Sequence, residues 1–131
     1  MQPNLNKASS KIARFILRGK LDKTMGGISK TIFLKRIIKE FGSQCHDTFF
    51  HEGVPVIMNV EIRIQKNASN EIKNNKYLPH RPSVSELLTN ISKALSGAAY
   101  HNEMQIVEVF VTKIFGNEDR LTVEMERAWS D

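Results

Sequence analysis

The chain has 131 residues, 40% of them apolar and 25% charged, enough for one domain with a real core and too short for two. No apolar run approaches the ~20 residues that cross a bilayer, and the single cysteine, Cys45, excludes an internal disulfide and a cysteine-built zinc site. The net charge of +5 is unevenly spread: residues 1–40 carry ten Lys/Arg against only Asp22 and Glu40, while residues 81–131 carry five basic side chains against eight acidic ones. A basic first third suits a polyanion such as nucleic acid, and equally suits a solvated face.

Residues 1–10 are polar and read as a disordered tail before a single domain over 11–131. The acid-free stretch Met1–Leu21 also has the look of a mitochondrial transit peptide. Ile12–Leu17 reads as a first strand ended by Gly19, and Lys20–Gly27 as a basic, flexible loop. Ser29 is placed to cap a helix that runs to about Phe41 and stops at Gly42. Phe33, Leu34, Ile37, Ile38 and Phe41 form its apolar stripe, and Arg36 stands one turn before Glu40 as an i,i+4 pair.

Val54–Gln65 alternates, with Val56, Met58, Val60, Ile62 and Ile64 on one side, as in a half-buried strand. Lys66–His80 is a polar loop without a pattern. A second helix spans about Val84–Ser96, its stripe made of Leu87, Leu88, Ile91, Ala94 and Leu95, with Gly97 as the stop. Ile106–Phe115 and Arg120–Glu126 pair as strands around the turn 116–119. The order β-α-β-α-β-β describes an α+β domain, a small sheet covered by two helices. Ile57 and Phe110 fall on the outer strand faces, open to a protein partner or, for Phe110, packed under a helix.

Familiar catalytic motifs are absent: there is no phosphate-cradling glycine loop, nucleophile elbow or metalloprotease helix. His46 and His51 lack ligand spacing, as do His80 and His101, and Asp47 and Glu52 read as loop solubilisers. Cys45 has no base near it in sequence and reads as a buried, inert thiol.

The informative stretch runs from Arg81-Pro82-Ser83-Val84-Ser85-Glu86-Leu87-Leu88 into Leu95-Ser96-Gly97-Ala98-Ala99-Tyr100-His101-Asn102-Glu103-Met104-Gln105-Ile106. It resembles the RusA family of Holliday-junction resolvases, whose pattern is Pro-Asp-x-Asp-Asn-Leu, a helix ending near Ala-Leu-x-Gly, then Tyr-x-Asp-Asp-x-Gln leading into a strand. The match covers Arg81 to about Glu108. The resemblance implies a RusA-like fold, a homodimer, a four-way junction or branched duplex DNA as partner, and Mg²⁺ as cofactor if the chain is active.

The departures fall on the chemistry. Ser83 and Ser85 stand where the family has paired aspartates, Glu86 replaces an asparagine, Thr89 replaces the active-site lysine, and Asn102-Glu103 replaces Asp-Asp. Mg²⁺ takes anionic oxygen ligands and must both activate water and offset charge on the leaving oxygen, work that neutral hydroxyls do poorly. Glu103, with Glu86 as a relocated second carboxylate, is what remains for metal and catalysis. Ser83, three residues before Glu86, instead fits a helix cap, with Ser85 the alternative cap.

DNA binding outlasts this loss more easily than cleavage does. The expected phosphate-tracking set is Arg14, Arg18, Lys20, Lys23, Lys30, Lys35, Arg36, Lys39 and Arg81. The leading expectation is therefore a junction-binding protein of recombination or repair with degraded nuclease activity, in the cytoplasm, nucleoid or nucleus. Its rivals are an active nuclease that recruits Asp47 or Glu61 beside Glu86 and Glu103, and a protein-interaction module that kept the fold alone.

Overall fold

A computed structural model describes residues 11–21, 27–66, 76–79 and 82–128 of the chain. Strand β1 (Ile12–Arg18) is followed by helix α1 (Gly27–Gln44), strand β2 (Val56–Gln65), helix α2 (Val84–Leu95), a short 3₁₀ turn (Glu103–Gln105), and strands β3 (Ile106–Gly116) and β4 (Arg120–Arg127). The element order is the expected one, and it makes an α+β fold on a four-stranded mixed sheet. The sheet order is β1-β4-β2-β3, so the expected pairing of β3 with β4 around the turn 116–119 is corrected: β2 lies between them and takes both as neighbours through its two edges. β4 runs antiparallel to both β1 and β2, while β2 and β3 are parallel. A parallel pair needs a crossover, and α2 supplies it.

One sheet face carries the core. Phe15, Leu17, Met58, Val60, Ile62, Leu121, Val123 and Met125 are fully or almost fully buried, and they join Phe33 and Ile37 of α1 and Leu87, Ile91 and Leu95 of α2 in one cluster. Phe15 and Phe41 meet edge to face, centroids 5.7 Å apart, in the arrangement that aromatic quadrupoles favour. Both helices thus lie on one side of the sheet. Among the described residues nothing covers the opposite, bare face: Arg14, Asn59, Glu61, Arg63, Arg120, Thr122 and Glu124 line an open, polar depression there. Phe110 stands on this bare face, 52% exposed and under no helix, with Ile57 half-buried beside it.

Four expectations for α1 are corrected, the last being the Arg36–Glu40 pair. Ser29 is not its cap, since the helix starts at Gly27, and Gly42 does not stop it, since it runs on to Gln44. Ile38 leaves the buried stripe and is 46% exposed. Arg36 donates to the carbonyls of Arg18 (2.6 Å) and Lys20 (3.0 Å), while Glu40 accepts from Gln44.

The extra turn of α1 has a clear physical return. Gln44 pairs both ways with the outer edge of β1: its Oε1 accepts from Ile16 N and its Nε2 donates to Ile16 O, each at 2.8 Å. The buried Cys45 thiol donates to Arg14 O at 3.2 Å. Backbone groups that an edge strand would present to solvent are thereby taken up by side chains. At the far end of the sheet the turn residue Asp119 ties two strand ends together, accepting from Leu21 N (2.7 Å) and Gln65 N (2.8 Å).

Candidate nucleic-acid interface

The start of α2 is built as the serine spacing suggests. Ser83 is the N-cap and its Oγ accepts from Glu86 N at 3.1 Å, so Ser85 is not the cap. The hydroxyls of Ser83 and Ser85 lie 3.4 Å apart. Beside them a shallow groove of about 240 Å³ runs between the helices, lined by Lys30, Ser85, Glu86, Thr89 and Asn90. One amine, one carboxylate, two hydroxyls and an amide thus meet where the resemblance puts a carboxylate pair and a lysine.

Glu103 does not join this groove. Ser92 Oγ donates to its Oε1 at 3.3 Å, and Ser92 lies two turns past Ser85, about 10 Å along the helix axis. Asn102 caps the 3₁₀ turn, accepting from Met104 N at 2.9 Å. Glu61 projects from the bare sheet face against Arg63 at 2.7 Å, and Asp47 pairs with His46 in the loop after α1. The rival acids are therefore dispersed, and among the described residues no cluster of three or more His, Cys, Asp or Glu could hold a metal ion. A groove with a single carboxylate beside an ammonium group does not fit Mg²⁺.

Behind the site, Gln105 holds the 3₁₀ turn to the loop after α1. Its buried Nε2 donates to the carbonyls of Phe50 (3.1 Å), His51 (2.8 Å) and Val54 (3.1 Å), and its Oε1 accepts from His101 N (2.7 Å) and Asn102 N (3.1 Å). Tyr100 is buried and donates to Ser92 O at 2.6 Å. Burial first, and the charge of Glu103 second, push its phenol above the ordinary tyrosine range. Burial likewise raises the Cys45 thiol, against a smaller lowering by its bond to Arg14 O, so Cys45 is the inert thiol its sequence context suggests.

The basic residues fall on two sides of the molecule. Arg14, on the bare face, pairs with Glu124 at 3.9 Å, and Arg18 forms an ion pair with Glu118 at 2.5 Å. Arg36 is spent on the carbonyls of Arg18, at the end of β1, and of Lys20 beyond it. Lys30 lines the groove, and Lys35 and Lys39 are exposed on α1, with Lys20 exposed after β1. Lys23 and Arg81 lie outside the described residues, as do the tail 1–10 and most of the polar loop. Asn90 and Gln105 were not singled out by their chemistry in the sequence. Asn90 offers one signal, a polar residue between Leu87 and Ile91 on the apolar stripe, where it is 4% exposed.

No known protein-family model matches the chain, and no curated protein matches it. Among the described residues no helix is long and apolar enough to cross a membrane.

Proposed function

We propose that this chain is a RusA-like DNA-binding protein of recombination or repair that recognises Holliday junctions or other branched DNA, with its nuclease chemistry degraded. The observation that carries the reading is the groove at the start of α2, where Lys30, Ser85 and Thr89 stand without a second carboxylate. Hydroxyl and ammonium donors suit a phosphate oxygen directly, with no bridging metal. Lys35 and Lys39 are exposed on another side of the same helix, turned by about 140° and 180° from Lys30, and backbone contacts read the shape of DNA rather than its bases.

Junction retention in EDTA tests this reading. Lys30→Ala is expected to weaken binding severalfold and to lower the salt slope by about one. Arg14→Ala, on the bare face, is expected to leave both unchanged. Equal effects from the two variants would contradict a groove-side interface. The exposed Phe110 and Ile12, 52% and 58% accessible, favour the protein-interaction module as the second reading. Absence of junction retention at low salt would select it.

A further inference from the structure

Arg120 differs from the other arginines of the bare face. In register it lies opposite Arg18 on β1 and opposite Arg63 on β2, so three arginines cross the sheet in one row. Like charges set directly opposite on neighbouring strands repel. Two carboxylates answer them: Glu118 accepts from Arg18, and Glu61 accepts from Arg63 Nε at 2.7 Å. Asp119, next in the turn, has its oxygens taken by Leu21 N and Gln65 N. Among the described residues one positive charge is therefore left over, and it belongs to Arg120. Its Nη1 is 3.9 Å from Glu118 Oε1, beyond hydrogen-bond reach, and its Nε is buried without a partner. A guanidinium carries five donors, and leaving them without acceptors in a half-buried place is costly.

Arg63 is held ready beside it. Glu61 engages only its Nε, so among the described residues both terminal nitrogens stay open. A Cβ on Gly116 would come within 3.3 Å of Arg63 Cδ, so the glycine leaves room for the arginine stem. The depression these two arginines line measures about 320 Å³ and continues past Thr122, Glu124 and Asn59 to Arg14. Arg14 lies four residues from Arg18 along β1, about 13 Å. No apolar side chain is among the described residues that line it.

We propose that this depression binds a phosphate monoester of a hydroxylated small molecule, a sugar phosphate, with its phosphoryl group bridging Arg63 and Arg120. One guanidinium fork fills both oxygens of a carboxylate, whereas a phosphoryl group has three terminal oxygens and serves two forks. Its negative charge also meets the positive charge that the row leaves over. Beyond the phosphoryl group, Asn59, Thr122 and Glu124 offer an amide, a hydroxyl and a carboxylate, which bond the hydroxyls of a sugar and give a base or an acyl chain nothing to pack on. Glu61 and Glu124 repel a second phosphate, which disfavours a nucleic-acid strand on this face. The inference does not rest on DNA binding at the helix groove, and its test needs no DNA.

An amide NMR titration of the full chain with sodium phosphate, glucose-6-phosphate and glucose, at constant ionic strength, is the experiment. Phosphate is expected to shift the amides of Arg63, Arg120 and Thr122 with a dissociation constant of about 1 mM. The sugar phosphate is expected to bind at least about threefold tighter, and glucose alone to give no response. Arg120→Gln is expected to weaken both anions at least about tenfold with an unchanged far-UV circular dichroism spectrum. If Arg120→Gln does not fold, Arg63→Gln decides, with the same loss expected. Shifts confined to Ser85 and Thr89 would put the anion in the helix groove and overturn the proposal. Binding that the variants leave intact, or a sugar phosphate no tighter than phosphate, would overturn it as well.

Discussion

Gln105 shows how much of this fold rests on one amide. It answers three carbonyls and two N–H groups, all brought to it by loops that share few other bonds. Gln105→Leu keeps the bulk and strands these partners, so it is expected to cost about 3 kcal/mol in urea unfolding without a change in m-value. Tyr100 carries a pH signature. An unfolded tyrosine ionises near pH 10, whereas the buried phenol holds its proton to higher pH. The stability it supports is full below that ordinary value and is lost as pH rises above it. Thermal melts are expected to fall on the alkaline side, with a shallower fall in Tyr100→Phe; parallel falls would contradict the assignment. The serine cap was legible from Ser83 and Glu86 alone, because capping is local chemistry. The three carbonyl bonds of Gln105 were not, since Phe50, His51 and Val54 lie some fifty residues away.

Among elements, the strands were the easiest to read. Period-two alternation from Val56 to Ile64 reports burial directly, and β2 differs from its sequence reading only in starting after Pro55. Helix α1 was harder, because its last turn is set by tertiary bonds from Gln44 to Ile16 that outweigh the helix penalty of Gly42. Gln44→Ala is expected to destabilise the fold by about 1 kcal/mol, water replacing part of the lost pairing. The end of α2 was legible for the opposite reason. Gly97 sits at φ +86° with open space where a Cβ would go, so Gly97→Ala isolates backbone strain and is expected to cost about 1 kcal/mol in chemical denaturation. A negligible cost there would mean the turn relaxes. The parallel pairing of β2 and β3 left no local trace, since alternation is the same in either direction.

At the scale of the whole molecule, charge is partitioned by the sheet. Sequence offered the basic first third as a phosphate-tracking set of which some members must face elsewhere, and the fold shows which: strand and helix residues that are neighbours in the chain face opposite sides once the sheet forms. The bare face neutralises Arg14, Arg63 and Arg18 with glutamates, whereas the helix side keeps Lys30, Lys35 and Lys39. The catalytic reading divides in the same way: that Ser83 and Ser85 stand where the resembled family has aspartates was plain in the sequence, but the separation of Glu103 from Glu86 required the fold. Adding charge back tests the phosphate reading, because Ser83→Asp with Ser85→Asp places two anions beside Lys30. That double variant is expected to weaken junction retention in EDTA by roughly tenfold.

The most direct measurement is a gel assay on a four-way DNA junction and a matched linear duplex, run in EDTA and again with Mg²⁺ or Mn²⁺, for the wild type and Glu103→Gln. Junction-selective retention in EDTA, no cleavage with either metal, and the same behaviour in the variant are expected. Metal-dependent cleavage abolished by Glu103→Gln would contradict it, by showing that the dispersed carboxylates assemble a working site on DNA.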